Sequence, residues 1–241
     1  MAEDTIKLYF PFLLEVRRRI LFTFCIFFIA SILGFFYYEN IIMFVIRLVK
    51  LEGVNIVFTS PFQFVNLAIS SALVIGVIVS FPVIILQTLS FLKPALKPKE
   101  FKLIISLLPL SLLLFAFGFI FGFFIMRYVI NLFYVKSLQL NIGNLLDISK
   151  LLSQILMTSS LMGIAFQYPI VMTVLMRLGI VRHRTFVKQR PFAYVIALFF
   201  AAILPPTDIL SLVLLTLPLV ILFEITLLLN RLSKGKAVIK L

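Results

Sequence analysis

The chain has 241 residues, of which 63% are hydrophobic and 13% are charged, and its formal net charge is +13. Its mean hydropathy of +1.20 lies far outside the range of soluble domains, in which about 25% of residues are charged. This composition excludes a soluble globular protein and predicts a polytopic membrane protein that forms one domain over residues 1–241. The single Cys25 excludes a disulfide or a cysteine metal site within the chain.

Apolar runs between charged segments predict six transmembrane helices, at about residues 20–38, 62–92, 103–126, 151–176, 191–204 and 209–230. Residues 39–60 carry apolar residues at helical spacing, which favours a helix on the outer membrane interface. The turn sequence Asn141-Ile142-Gly143-Asn144 marks the second outer loop. The fifth span would measure about 21 Å at ~1.5 Å per residue, less than a ~30 Å hydrocarbon core. The expected fold is an all-α membrane protein.

Prolines mark where these helices are expected to start or bend. Pro61 follows Thr59 and Ser60, which is typical of a first-turn proline at the start of the second span. Pro82, Pro169 and Pro218 lie within spans, where a proline ring removes a backbone donor and crowds the preceding turn. We therefore expect kinks at these three positions, giving a concave bundle.

The basic residues are unevenly distributed between alternating loops. Most of the 22 Lys and Arg residues lie in four segments, namely residues 1–19, 93–102, 177–190 and the tail from Arg231. By the positive-inside rule these segments and both termini are cytoplasmic, or stromal or matrix-facing in an organelle.

Two acids on this basic face, Glu15 and Glu100, are the candidates for ligand binding. Glu15 precedes Arg17, Arg18 and Arg19, and Glu100 is the single carboxylate of the lysine-rich segment Phe91 to Lys102. One interpretation is an i,i+4 pair of Glu15 with Arg19 and a loose pair of Glu100 with lysine, each worth ~0.5 kcal/mol or less. The other is a pair of carboxylates that binds a cationic ligand, for which a guanidinium gives bidentate geometry.

Other polar residues lie within or beside the predicted spans. Glu224 lies about 10 Å inside the sixth span at ~1.5 Å per residue, where a carboxylate is costly and is expected to face the protein interior or a wet cavity, or to snorkel to the interface. An acid at this depth makes a small secondary transporter or proton-coupled carrier that uses Glu224 the alternative function. Asp208 is expected to cap the sixth span. Gln87 and Gln167 are expected to hydrogen-bond a neighbouring helix or to dock a partner helix.

The residue inventory argues against an enzyme. His183 is the only histidine and lies in a basic loop, so neither a histidine triad nor a metal cluster of usual spacing is expected. We predict no catalytic residues, no metal and no cofactor.

Seven segments in order resemble the TatC family, the multispanning receptor subunit of the twin-arginine protein translocase. They are LLEVRRRI ending at Ile20, TSP at 59–61, FPVIILQTLSFLKPALKPKE at 81–100, FGFIFG at 117–122, GIAFQYPIV at 163–171, LPPTD at 204–208 and LPLVILFE at 217–224. Each is weak alone, but together at this spacing they are specific.

The resemblance implies that the cytoplasmic face binds the paired arginines of signal peptides on folded precursors. It assigns Glu15 and Glu100 to the arginines and Phe91 and Pro94 to the recognition surface, to which we add Arg17. It also implies small single-span partners of the TatA or TatB type, self-association in the receptor complex, contact with membrane lipid, no nucleic acid, and transport driven by the proton-motive force. The expected location is a bacterial inner membrane, or a plastid thylakoid or mitochondrial inner membrane.

The chain departs from the family pattern at three positions. Phe12 stands where a polar residue often precedes the N-terminal acid, and Gln63 replaces an acid that commonly follows the SP motif. Gln167 replaces a glutamate common in the fourth span, as in cyanobacterial and organellar relatives. A role that needs ionisation is therefore not expected at Gln167, whereas a hydrogen bond to a partner helix is.

Overall fold

The structure is a computed structural model that describes residues 2–49, 55–57, 62–140 and 145–238. Its helices are α1 (Ala2–Phe36), α2 (Tyr38–Val49), α3 (Gln63–Leu92), α4 (Pro98–Ser106), α5 (Leu108–Gln139), α6 (Ile148–Ala165), α7 (Tyr168–Arg177), α8 (His183–Lys188), α9 (Arg190–Ile203) and α10 (Ile209–Val238). A short 3₁₀ helix, Lys93–Ala95, connects α3 to α4. Two three-residue strands, β1 (Asn55–Val57) and β2 (Leu145–Asp147), pair in parallel. The predicted all-helical fold is confirmed, apart from this small strand pair.

Five segments of the described chain are long and apolar enough to cross a membrane: Leu14–Phe36, Gln63–Leu92, Pro98–Ser137, Ser149–Arg177 and Ile209–Leu232. The shorter apolar helix Arg190–Ile203 is the sixth candidate. The predicted second and fifth spans agree with α3 and α9 to within about a residue, because prolines or charged residues lie at the boundaries of these apolar runs. α2 supplies the helix expected after the first span.

Several helix ends differ from the predicted span ends. α1 starts at Ala2, α5 continues to Gln139 and α10 continues to Val238, because a helix that leaves the apolar layer can continue as a solvated helix. Helix α4 is separated from α5 at Leu107, two residues before Pro109. A proline cannot donate to the carbonyl four residues earlier and crowds it, which explains this interruption inside the predicted third span.

The other prolines differ in whether a helix is interrupted beside them. Pro169 lies in the first turn of α7, directly after the break between α6 and α7, as expected for a helix-interrupting proline. Pro82 and Pro218 lie inside α3 and α10, which continue through them, so kinks there stay predictions. Pro61 and the turn sequence at residues 141–144 lie outside the described residues.

Close helix packing depends on two glycines at GxxxG spacing in α5. A Cβ atom added to Gly118 would lie 2.7 Å from the backbone oxygen of Met162, and one added to Gly122 would lie 2.9 Å from the Cα of Ser159. Small residues at this spacing allow helices in a membrane to approach closely. The α5–α6 contact therefore requires glycine at both positions.

The two predicted outer loops are joined near β1 and β2. The side-chain amide of Gln63 donates to Asp147 Oδ2 at 2.7 Å, and Ser149 Oγ donates to the Gln63 backbone oxygen at 2.9 Å. An uncharged amide suits this position, because a carboxylate at residue 63 would face the carboxylate of Asp147.

Candidate functional site

The candidate site is centred on Arg19, a residue of α1. Its guanidinium contacts Glu15 on the same helix and Gln87 on α3. Its Nη2 and Nε donate to Glu15 Oε1 at 2.6 and 3.1 Å. Its Nη1 donates to the side-chain oxygen of Gln87 at 2.9 Å and to the Gln87 backbone oxygen at 3.2 Å. The i,i+4 pair expected from the sequence is therefore present, and a tertiary contact extends it to α3.

Both Arg19 contacts with Glu15 end on the same carboxylate oxygen. Glu15 Oε2 accepts no recorded hydrogen bond from the described residues. The Glu15 side chain is 38% exposed, and that of Arg19 is 23% exposed. An ionised carboxylate has two acceptor oxygens, so Glu15 keeps one oxygen available for a further donor.

Two pockets adjoin at Arg19 and Gln87. A polar pocket is lined by five residues, Glu15, Arg18, Arg19, Phe22 and Gln87. An apolar groove between α1 and α3 is lined by Arg19 and Gln87 and by Val16, Ile20, Thr23, Phe24, Ile84, Thr88 and Phe91. Glu15 lines only the first pocket, and Arg19 and Gln87 line both, so the carboxylate lies beside a groove with apolar walls.

Glu100 occupies a different local setting. It is the third residue of α4, and its Oε2 accepts a hydrogen bond from the Lys97 backbone N–H at 3.0 Å. An acid in the first turn of a helix is stabilised by the free amides and by the helix dipole. Glu100 is half-buried and lines neither of the two pockets at Arg19. The loose lysine pair considered for it is replaced by this backbone contact.

The structure brings only some of the predicted site residues together. Glu15, Gln87 and Phe91 lie around Arg19. Pro94 and Arg17 have exposed side chains, and no contact of either with Glu15 is recorded in the described part of the chain. Lys93 Nζ lies 5.7 Å from the ring centroid of Phe101, which keeps the connection between α3 and α4 against the start of α4.

Gln167 lies at the break between α6 and α7. Its side-chain oxygen accepts from Ser111 Oγ at 2.5 Å, and its amide donates to the backbone oxygens of Ser111 at 3.1 Å and Gly163 at 3.4 Å. The amide therefore connects α5 with the α6–α7 junction, as expected for a hydrogen bond to a neighbouring helix. It also lines a largely apolar groove that is shared with α3, α4 and α5.

Comparisons with known proteins identify the family. The model of the family described as Sec-independent protein translocase protein (TatC) matches residues 11–218. The chain belongs to the TatC family. It is 32% identical to the TatCy protein of Bacillus subtilis over 92% of this chain and 88% of the relative. It is 31% identical to the TatC protein of Escherichia coli K12, over 98% of this chain and 92% of the relative.

A solved structure shows the same fold. The crystal structure of the twin arginine translocase receptor TatC superposes with a TM-score of 0.80 at 30% sequence identity, covering 92% of this chain and 99% of that one. A second crystal structure, of a twin arginine translocase receptor TatC in DDM, gives a TM-score of 0.81 at 30% identity, covering 91% of this chain and 99% of that one. This TatC protein is thus an integral multi-pass membrane subunit of a Sec-independent protein translocase, and not an enzyme.

The alternative of a carrier that uses Glu224 is not supported. Arg190 Nη2 donates to Glu224 Oε2 at 2.8 Å, and the Tyr194 hydroxyl donates to Glu224 Oε1 at 2.6 Å. Both oxygens of this carboxylate therefore accept from side chains of α9, which holds α10 against α9. The cost of a carboxylate within a span is offset by a cation and a phenol.

Asp208 caps α10 of this TatC protein, as its sequence position indicates. Its Oδ1 accepts from the Ser211 backbone N–H at 2.8 Å, and its Oδ2 accepts from Ser211 Oγ at 2.6 Å. Such a cap satisfies one of the free amides of the first turn. Among the described residues, no group of three or more His, Cys, Asp and Glu side chains is placed to hold a metal ion.

Proposed function

We propose that this TatC protein is the translocase subunit that receives the paired arginines of a signal peptide, with Glu15 and Glu100 as the two acceptors. The observation that carries the proposal is the Glu15–Arg19 contact at 2.6 Å. A guanidinium already fits this carboxylate, and Glu15 Oε2 remains available for a second one. Charge-assisted hydrogen bonds of this kind are roughly twice as strong as neutral ones.

The surroundings of Glu15 suit a signal peptide better than they suit a free cation. A signal peptide has a positively charged region followed by an apolar segment. The polar pocket at Glu15 adjoins the apolar groove between α1 and α3, which Phe91 helps to line. A peptide that places an arginine at Glu15 can therefore lay its apolar segment along α1 and α3.

Glu100 is proposed as the acceptor for the second arginine. Only its Oε2 has a recorded partner among the described residues, the Lys97 amide, so Oε1 can accept from a guanidinium. Pro94 is exposed on the connection between Phe91 and Glu100, and we assign it to the surface that the peptide crosses. Arg17 is exposed on α1 and is proposed to contact acidic or carbonyl groups of the bound precursor.

The remaining assignments concern topology and partners. We propose that both termini and the site face the cytoplasm, because most basic residues lie on that side.

Single-span Tat subunits of the TatA or TatB type are proposed to dock at the groove beside Gln167, whose other wall is apolar. Gln87 has a side-chain N–H without a recorded acceptor among the described residues and is proposed as a second polar contact for a partner helix. Transport of folded precursors is proposed to use the proton-motive force.

The test is binding of a twin-arginine signal peptide to the full chain in lipid nanodiscs. We expect it to bind more tightly than its twin-lysine counterpart, because lysine lacks the planar fork of donors. Glu15→Gln should weaken twin-arginine binding, and Glu39→Gln serves as the control because Glu39 is an exposed acid beyond the far end of the first span. Equal binding of the two peptides, or undiminished binding by Glu15→Gln, would contradict the proposal.

A further inference from the structure

We propose that Arg19 is a positioning residue, anchored on α3 by Gln87, which holds Glu15 by one oxygen and turns the other oxygen towards the signal peptide. This inference rests on the function proposed above and assigns a task to a residue that is expected neither to bind the peptide nor to face a partner subunit.

The donor geometry of Arg19 is the first observation. In a bidentate arginine–carboxylate pair, two parallel N–H groups contact two carboxylate oxygens. Arg19 instead directs Nε and Nη2 at Glu15 Oε1 alone. One oxygen is therefore fixed by two donors, and the rotation of the carboxylate is restricted while Oε2 stays available.

The anchoring of Arg19 is the second observation. A solvated i,i+4 pair would leave the far edge of the guanidinium in water. Here Nη1 contacts both oxygens of Gln87, at 2.9 and 3.2 Å, and Arg19 is the more buried member of the pair, 23% exposed against 38% for Glu15. The position of the guanidinium is therefore determined by α3, and Glu15 is oriented relative to α3.

The place of the pair is the third observation. Arg19 and Gln87 line both the polar pocket and the apolar groove. Glu15 lines the first of these pockets, so its carboxylate is held beside the groove along which an apolar segment of the peptide can lie. A carboxylate that was free to rotate would have to be ordered when the peptide binds, and ordering one long side chain reduces affinity about two- to tenfold.

The opposite role for Arg19 predicts the opposite change in peptide affinity. If Arg19 occupied the place of a signal arginine, its removal would free Glu15 and would tighten peptide binding. Arg19→Gln therefore distinguishes the two roles. Arg18→Gln is the matched control, because Arg18 lines the same polar pocket, has no recorded hydrogen bond or ion pair with another described residue, and its replacement removes the same charge.

The experiment measures the dissociation constant of a twin-arginine peptide for the full chain in nanodiscs, with five variants: Arg19→Gln, Arg19→Lys, Arg18→Gln, Glu15→Gln, and Arg19→Gln combined with Glu15→Gln. We expect Arg19→Gln to weaken binding about two- to tenfold, and Arg18→Gln not to weaken it, because it removes a like charge from the pocket and leaves Glu15 held by Arg19. In the Glu15→Gln background Arg19→Gln should have no further effect, because the oriented charge is already absent. Arg19→Lys, which keeps the charge but cannot contact Glu15 and Gln87 together, should bind with intermediate strength.

Each other outcome overturns the inference. Tighter binding by Arg19→Gln would show that Arg19 competes with a signal arginine for Glu15. Unchanged binding would show that Arg19 has no role in peptide binding. A loss that persists in full beside Glu15→Gln would show a general structural contribution. The thermal unfolding midpoint of each variant identifies misfolding, in which case Arg19→Lys decides. If Glu15→Gln alone binds normally, the proposed function fails at Glu15, and the inference fails with it.

Discussion

Replacing Glu100 separates the charge of this residue from its role in the fold. Its Oε2 accepts the Lys97 backbone N–H at 3.0 Å in the first turn of α4. Glutamine retains an acceptor oxygen there, so Glu100→Gln should lose only the interaction of the charge with the helix dipole, about 0.3–1 kcal/mol. Glu100→Ala removes the acceptor as well, which adds ~1 kcal/mol. The glutamine variant should therefore stay folded.

The binding effect of Glu100→Gln should be larger than its effect on stability. A hydrogen bond to a charged group contributes ~1.5–3 kcal/mol, and one between neutral groups ~0.5–1.5 kcal/mol. The difference of about 1–1.5 kcal/mol corresponds to a roughly five- to tenfold weaker binding of a twin-arginine peptide. Glu100→Ala should bind at least as weakly, and its unfolding midpoint should be lower.

The assay compares peptide affinity with the unfolding midpoint for Glu100→Gln, Glu100→Ala and the control Glu39→Gln. The twin-lysine peptide provides the specificity control, since its affinity should change less. If Glu100→Gln binds the twin-arginine peptide as tightly as the unchanged chain, the capping role would be the whole role of Glu100. The assignment of the second arginine to it would then be wrong.

Two further predictions concern packing and membrane thickness. Gly118→Ala should destabilise the protein by about 1–3 kcal/mol, because the new Cβ would lie 2.7 Å from the Met162 backbone oxygen; the unfolding midpoint in detergent measures this. Ala116→Gly, at an exposed position of the same helix, should cost about 1 kcal/mol or less. Adding one turn of leucine to α9, which has 14 residues, should impair transport of a folded precursor into vesicles, because the short span is expected to thin the bilayer locally. Unchanged transport would refute this.

Features that depend on local sequence could be predicted, and those that depend on tertiary contact could not. The ends of α3 and α9 follow from charges and prolines at the boundaries of apolar runs. The Asp208 cap and the Glu15–Arg19 pair follow from spacings of three and four residues. The acceptors from Gln87 lie 68 residues from Arg19 in the sequence, and no local pattern in α1 indicates that they complete the site.

Gln167 is a second residue whose contact partner cannot be read from the sequence. An amide within an apolar span indicates a hydrogen bond to another helix, and the sequence does not specify which helix. The structure shows Ser111, 56 residues away, as the partner through both its hydroxyl and its backbone oxygen. The sequence thus predicts that this amide needs a partner, and only the packing of α5 against α6 supplies one.

The two proposed acceptors share one property, which connects the fold to recognition. Glu15 and Glu100 each use one oxygen for an internal donor, and in the described chain neither has a recorded partner for the other oxygen. They differ in what holds them. Glu100 is held by the backbone amide of Lys97, which only a proline at that position would remove. Glu15 is held by the side chain of Arg19 on the same helix. Orientation of the carboxylate can therefore be separated from its charge at Glu15, and a defect of Arg19→Gln that disappears beside Glu15→Gln would measure that orientation alone.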